Sequence, residues 1–165
     1  MKHLKSYNES LRDKMTGVKL TGDKKVIFDA SEECDSMGLR PTDLFSGNGI
    51  YSFGITNYTH NREDVYIDIH YYSDSAVKKP YRWHITVEGQ GINGNIKTNT
   101  WGEALILLID ILYPDIEEDI QDTKGGLNRY KNSDDKYADS WAKEYEFKLN
   151  RLTKALEIKT KYSKN

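Results

Sequence analysis

Hydrophobic and polar residues alternate strictly along two stretches of this chain, residues 65–72 and residues 81–88. Side chains of a β-strand point to opposite faces with a period of two, so each stretch predicts a strand with one buried face and one exposed face. Turn-forming residues lie between the stretches, at positions 73–75 and at Pro80. The pattern therefore predicts an antiparallel hairpin around which the remaining elements are arranged.

A register that buries both apolar sets pairs Ile69 with Ile85. A slip of one residue would turn the apolar side chains of one strand to water, so this register, or one shifted by two residues, is strongly favoured. On the exposed face it places His70 opposite His84, with Cβ atoms about 5 Å apart. We predict that this exposed face is an interaction surface. The predicted interaction face comprises Tyr66, His70, Tyr72, Arg82, His84 and Glu88, with Asp68 between them.

The two histidines also suit functions other than an interaction surface. His70 and His84, with Asp68 beside them, form a donor set that suits zinc or a similar metal ion. They also suit a proton relay or a pH-sensitive patch, because an unperturbed histidine titrates near pH 6.5, at about the middle of the physiological range. An open sheet face is rarely dry enough to preorganise catalysis, so we favour a polar face with no metal and no cofactor.

Further strands extend the hairpin into a sheet. Residues 50–57 alternate with the same parity, and residues 95–98 read as a short edge strand. Residues 25–29 (KVIFD) predict another short strand. A loop follows at 31–41, which is acidic over 31–36 and has room for a helical turn, and a second short helical turn is predicted at 41–45. We therefore expect an antiparallel meander of three to four strands. Its inner face would be rich in aromatic residues, namely Tyr51, Phe53, Tyr71, Tyr81 and Trp83.

A helix is predicted to cover the apolar face of this sheet. Thr100 and Glu103 form a capping box, in which the threonine hydroxyl accepts from the amide three residues on. The helix that follows is apolar almost all round and ends before Pro114, so we expect it to be buried against the hairpin. The odd polar residue of its apolar run, Asp110, is expected to lie on the exposed side.

The last third of the chain predicts a loop and a long helix. Residues 115–122 are acidic and lack the spacing of an EF-hand loop, and residues 123–133 predict a flexible connector. A stripe of large residues then predicts a helix over 134–161. The stripe runs through Tyr137, Trp141, Tyr145, Leu149, Leu152 and Leu156. Its first four members form a candidate helix interface, with packing inside the domain as the alternative.

The N-terminal segment predicts a short amphipathic helix. Leu4, Tyr7, Leu11 and Met15 lie on one helical face, and Gly17 is a natural stop. An isolated helix of this length is marginally stable, so we expect it to dock on this domain or on a partner.

The same segment carries a resemblance to known proteins. Residues 4–16, LKSYNESLRDKMT, are similar to a short segment, roughly L-K-x-[FY]-N-E-S-[LI]-R-D-K-M, at the start of many proteins of large tailed bacteriophages. The likeness leaves the rest of the chain unassigned. It implies a phage-encoded protein located in the host cytoplasm or the virion, with this segment as a shared targeting or docking tag.

These predictions combine into an α+β fold with helices on one face of the sheet. We expect an N-terminal helix or tag at 1–17, an α+β core at 18–122, the connector at 123–133 and the long C-terminal helix at 134–161.

Composition limits the function classes. With 165 residues, 37% hydrophobic residues and no long apolar run, the chain suits one domain without a membrane span. A net charge of −2 argues against general nucleic-acid binding, although a small nucleic-acid-binding α+β domain remains an alternative. No motif of a known catalytic class is present, and Cys34 is the single cysteine. We therefore favour a non-enzymatic protein that acts by protein–protein contacts or self-association, over a metal-dependent enzyme built on His70 and His84.

Overall fold

The computed structural model describes residues 21–42, 44–60, 63–74, 79–89 and 91–164, with side chains described for all of these except 56–60 and 63. The docking helix predicted at Leu4, Tyr7, Leu11 and Met15, and the segment that carries the phage resemblance, lie outside the described residues. Within the described ranges the fold is α+β, as predicted, with an antiparallel sheet and helices on one face. No helix in these ranges is long and apolar enough to span a membrane.

Six strands and four helices are found in the described part of the chain. The strands are β1 (Arg40–Pro41), β2 (Phe45–Gly47), β3 (Ile50–His60), β4 (Glu63–Tyr72), β5 (Trp83–Gly89) and β6 (Ile92–Thr98). The helices are α1 (Gly22–Ser36), α2 (Trp101–Leu112), α3 (Ile116–Lys131) and α4 (Ala138–Ser163). The sheet order is β1-β3-β4-β5-β6, and β2 pairs with the same edge of β3 as β1 does.

The central hairpin has the predicted register. Ile69 pairs with Ile85 and His70 pairs with His84, and the further pairs from Tyr66–Glu88 to Asp68–Thr86 also follow the prediction. The inward side chains of β4 and β5 are almost fully buried, with Ile69 and Ile85 at 0% exposure. The alternation of polar and apolar residues thus excludes a register shifted by one residue, which would expose one apolar set.

The strand predicted at 25–29 is wrong, and the predicted loop is wrong over residues 31–36. These residues form the single helix α1, whose buried positions are Ile27, Ala30, Ser31 and Cys34. Their spacing of three, one and three is that of a helical face. Three of the four are small, so the stripe is weakly hydrophobic, whereas the adjacent Val26, Ile27 and Phe28 resemble a strand.

The helical turn predicted at 41–45 is also wrong, and the sheet is larger than predicted. Pro41 belongs to β1 and pairs with Ile55, while Phe45 in β2 pairs with Ser52. Both strands are short and lie at the sheet edge, where proline is tolerated because no ladder hydrogen bond is lost. At the other edge, β6 begins at Ile92 rather than at residue 95.

Helix α2 covers the apolar face of the sheet, as predicted. The hydroxyl of Thr100 accepts a hydrogen bond from the amide of Glu103 at 3.3 Å, which caps the first turn. Asp110 is exposed and forms an ion pair with Lys159 of α4 at 2.5 Å. The buried positions of α2 are Ala104, Leu105, Leu108, Ile109 and Leu112.

The acidic loop predicted at 115–122 and the connector predicted at 123–133 are replaced by α3, which extends to Lys131. Its buried side chains are Ile116, Ile120, Thr123 and Leu127, again at helical spacing. Tyr145 of α4 lies so close to Gly126 that a Cβ atom there would be 2.1 Å from the tyrosine ring. Glycine at position 126 therefore permits the close approach of α3 and α4.

Candidate binding face

The face of the sheet opposite the helices carries no described element. We call this surface the outer face. Its most exposed large side chains are Tyr66 of β4, at 69% exposure, and Phe45 of β2, at 64%. Directly paired residues share a face, so the pairings assign its members. Among the residues so assigned to the outer face are Phe45, Ser52, Gly54, Tyr66, Asp68, His70, Tyr72, His84, Thr86, Glu88, Asn95 and Lys97.

Four aromatic rings form a closed cluster on the outer face. Ring centroids lie 6.2 Å apart for His70 and His84, and 6.5 Å apart for His70 and Tyr72. Tyr81 completes the cluster, at 5.8 Å from Tyr72 and 5.7 Å from His84. We call these four residues the ring cluster. Offset and edge contacts at such distances stabilise aromatic pairs, so the cluster is a firm platform rather than four separate side chains.

Two lysines border the ring cluster. Lys79 Nζ lies 5.8 Å from the ring centroid of Tyr72, and Lys97 Nζ lies 5.5 Å from that of Tyr81. Both distances are within cation–π range. The lysines therefore make this end of the outer face cationic.

The His84 imidazole is partly buried beside the other rings of the ring cluster. Its Nε2 atom is buried and has no hydrogen-bond partner among the residues that the structure describes. Burial lowers the pKa of His84, against a hydrogen bond with Asn95 that raises it, while the charges of Lys97 and His70 lower it further. The imidazole is therefore held in its neutral form over a wider pH range than a free histidine.

The predicted interaction face differs from the outer face at two residues, Arg82 and Tyr81. Arg82 was expected on the outer face, and Tyr81 on the inner face. Instead β5 begins only at Trp83, so the alternation does not extend back to these positions. The Arg82 guanidinium forms an ion pair with Asp74 and donates to the Tyr71 hydroxyl at 3.4 Å, while Tyr81 joins the ring cluster. The other predicted members, Tyr66, His70, Tyr72, His84 and Glu88, are on the outer face.

A cleft lies beside the ring cluster, over the middle of β3. It has a volume of about 250 Å³. Its floor is formed by the small residues Ser52 and Gly54, and the adjacent strands supply larger side chains on both sides. We call it the β3 cleft. The side chains that surround the floor are Thr42, Phe45, Tyr66, Asp68 and His70.

The acidic side chains of the outer face lie apart from the lysines. Asp68 lines the β3 cleft, and Glu88 lies at the far end of the hairpin, opposite Tyr66. No cation in the described part of the chain forms an ion pair with Asp68. The outer face thus carries separate patches of both signs.

The metal hypothesis gains no support from the geometry. Within the described ranges, no three His, Cys, Asp or Glu side chains are grouped so that they could hold a metal ion. The rings of His70 and His84 are close, but Asp68 turns towards the β3 cleft. Cys34 is fully buried, and burial raises the pKa of its thiol, so it is not a reactive nucleophile.

The predicted helix interface packs partly inside the chain. Trp141 and Tyr145 lie against the ring of Tyr130 of α3, with centroids 6.1 Å and 5.5 Å away. Leu149 packs against the core, whereas Tyr137 is 59% exposed and Trp141 is 46% exposed. Trp141 and Tyr145 of the stripe thus contribute to the contact between α3 and α4. Helix α4 also buries Ala138, Ala142 and Ala155, which the sequence analysis did not predict.

A larger open cleft, of about 620 Å³, lies between the start of α3 and the end of α4. Acidic and basic residues line it together, and its Lys159 already pairs with Asp110. It therefore presents no convergent set of groups for a ligand.

No protein-family model matches this chain, and comparison with curated proteins and with solved structures found no match either.

Proposed function

We propose that this protein is a non-enzymatic binding module that recognises a protein partner through the outer face of its sheet. One observation carries the proposal. The helices that the structure describes pack on one face of the sheet, and the opposite face presents Tyr66 and Phe45 with more than half of each side chain exposed. Exposed aromatic residues on a rigid sheet lose little conformational entropy on binding, and tyrosine is enriched among residues that dominate interface energies.

The charge pattern favours a protein over a nucleic acid. A nucleic-acid surface needs a continuous basic patch to contact phosphates. The outer face has Lys79 and Lys97 at one end, but Asp68 and Glu88 at the other. Neighbouring patches of opposite sign fix the orientation of a protein partner.

Photo-crosslinking tests the proposal directly. The crosslinking amino acid p-benzoylphenylalanine replaces Tyr66 in one variant and Leu107 in another. Each variant is expressed in the cells that naturally produce this protein. Leu107 is a matched control because it is 45% exposed but belongs to α2, on the helical side. We expect one discrete protein adduct from position 66 and none from position 107. Adducts with nucleic acid, or identical adducts from both positions, would contradict a protein partner at the outer face.

We propose further that the protein is an accessory factor of a tailed bacteriophage. The resemblance of residues 4–16 supports this part, and it leaves open whether the protein enters the virion or acts in the host cytoplasm. Mass spectrometry of purified virions and of infected-cell extracts distinguishes the two locations. Light scattering of the purified protein measures its self-association. We expect a stable oligomer.

A further inference from the structure

We infer that the β3 cleft binds the guanidinium of an arginine side chain presented by the partner. This inference rests on the proposed function, because it names what the partner places on the outer face. It follows from three features of the cleft: its floor, its carboxylate and its aromatic sides.

The floor is open because β3 carries small side chains there. Ser52 is opposite Phe45 on one side and opposite His70 on the other, and Gly54 is opposite Asp68. The Asp68 Oδ1 atom lies 3.4 Å from the point that a Cβ atom at Gly54 would occupy. The carboxylate is therefore directed over the floor of the cleft.

The carboxylate makes the cleft selective for a cation. Asp68 has no ion pair with any described residue, and the lysines of the outer face are around the ring cluster rather than in the cleft. An unpaired carboxylate in a concave site attracts a cationic donor and repels phosphate or carboxylate groups. Arginine matches it best, since its planar fork donates two hydrogen bonds to one carboxylate.

The aromatic sides suit a planar cation as well. Phe45 and Tyr66 both line the cleft and both are largely exposed. A guanidinium stacks on aromatic faces and gains cation–π attraction, whereas an ammonium is more strongly hydrated. At about 250 Å³ the cleft is smaller than a pocket for a drug-sized ligand, which typically measures about 300–1,000 Å³. Its size thus corresponds to a single side chain.

Titration of the full chain with defined peptides tests the inference. The probe is a blocked pentapeptide of glycine and serine with a central arginine, and the matched probes carry citrulline or lysine instead. Amide chemical shifts are followed by two-dimensional NMR. We expect saturable shifts at Ser52, Gly54 and Asp68 with the arginine peptide. The citrulline peptide should bind about tenfold more weakly, since it loses the charge-assisted hydrogen bonds.

Two variants localise the binding. Asp68→Asn should weaken the arginine peptide about tenfold, whereas Glu144→Gln, which removes an exposed acid of α4 on the helical side, should leave it unchanged. Gly54→Ala tests the floor without a change of charge. Its added methyl group would meet Asp68 and Thr42 at ordinary contact distances of 3.4 Å and 3.5 Å, so the fold should persist while the cleft becomes shallower.

Equal binding of the arginine and citrulline peptides, or unchanged binding by Asp68→Asn, would overturn the inference. The outcomes that would contradict the proposed function are different from those that would contradict the arginine site. If position 66 still crosslinks a partner in the Asp68→Asn background, the outer face binds a protein without an arginine in the cleft. If no partner crosslinks while the peptide binding is selective, the cleft stands and the proposed function does not.

Discussion

The indole of Trp101 donates a hydrogen bond from Nε1 to the Glu33 carboxylate at 2.7 Å, across 68 positions of the chain. The same carboxylate accepts from the Tyr162 hydroxyl and from Lys161 Nζ, each at 2.8 Å. Glu33 belongs to α1, Trp101 begins α2, and the other two residues end α4. One partly buried carboxylate therefore connects three helices on the inner side of the sheet.

Replacement of Glu33 by alanine should destabilise the fold by about 1–3 kcal/mol, because Trp101 Nε1 and the Tyr162 hydroxyl would lose their acceptor. Urea unfolding followed by tryptophan fluorescence measures the change. Glu144→Ala is the control, since Glu144 is an exposed residue of α4, and it should change the free energy of unfolding by less than about 0.5 kcal/mol. Equal effects of the two variants would show that the carboxylate is not a structural link.

The adjacent glycines of α3 should respond in opposite directions to alanine. A Cβ atom at Gly125 would meet nothing within 4 Å, so Gly125→Ala should stabilise the protein by about 0.5–1 kcal/mol through helix propensity. A Cβ atom at Gly126 would overlap the Tyr145 ring, so Gly126→Ala should destabilise it by about 1–3 kcal/mol. Thermal unfolding of both variants under the same conditions measures the difference. Stabilisation by both would mean that α3 and α4 are further apart.

The sequence predicts the central hairpin and α2 because large apolar residues mark their buried faces at an unambiguous period. Ile67, Ile69 and Ile85 exclude a one-residue slip of the register, and Leu105 and Leu108 mark one helical face. The sequence does not predict helices α1 and α3, because few large apolar residues mark their buried faces. Their buried positions include Ala30, Ser31, Cys34 and Thr123, and α3 contains two glycines.

The candidate site was predictable only where the strands are regular. Pairing rules place His70 against His84, but they fail at Tyr81 and Arg82, which precede β5. Those two side chains are directed by the ring cluster and by the ion pair with Asp74, contacts that local alternation does not encode. The β3 cleft was missed as well, because it depends on β2, a strand that the local sequence does not predict.

Substitutions at two adjacent residues of β4, Tyr66 and Ile67, should affect binding and stability differently. Tyr66 is 69% exposed, so Tyr66→Ser should change the free energy of unfolding by less than about 0.5 kcal/mol while it weakens partner capture. Ile67 is 1% exposed, so Ile67→Ala should cost about 2–5 kcal/mol. Chemical denaturation and a quantitative capture assay measure both quantities. A large loss of stability in Tyr66→Ser would mean that another part of the protein covers the outer face.

His84 should make the fold less stable in mild acid. Its pKa is lowered in the folded protein, mainly by burial, with Lys97, His70 and Lys79 lowering it further against the hydrogen bond with Asn95. Below about pH 6.5 the unfolded chain takes up a proton at this histidine more readily than the folded chain does. The contribution of His84 to stability is therefore fully present above that pH, and it is lost as the pH falls towards the folded-state pKa.

Urea unfolding at a series of pH values tests this linkage. The wild-type protein should lose more free energy of unfolding between about pH 7.5 and about pH 5 than the variant His84→Gln, which has no proton to bind there. His70→Gln is the matched control, because His70 is in the same ring cluster but only secondarily lowers the pKa of His84. It should retain most of the pH dependence. If His84→Gln keeps the full wild-type dependence, the imidazole is not held neutral by its burial, and the acid sensitivity belongs to another group.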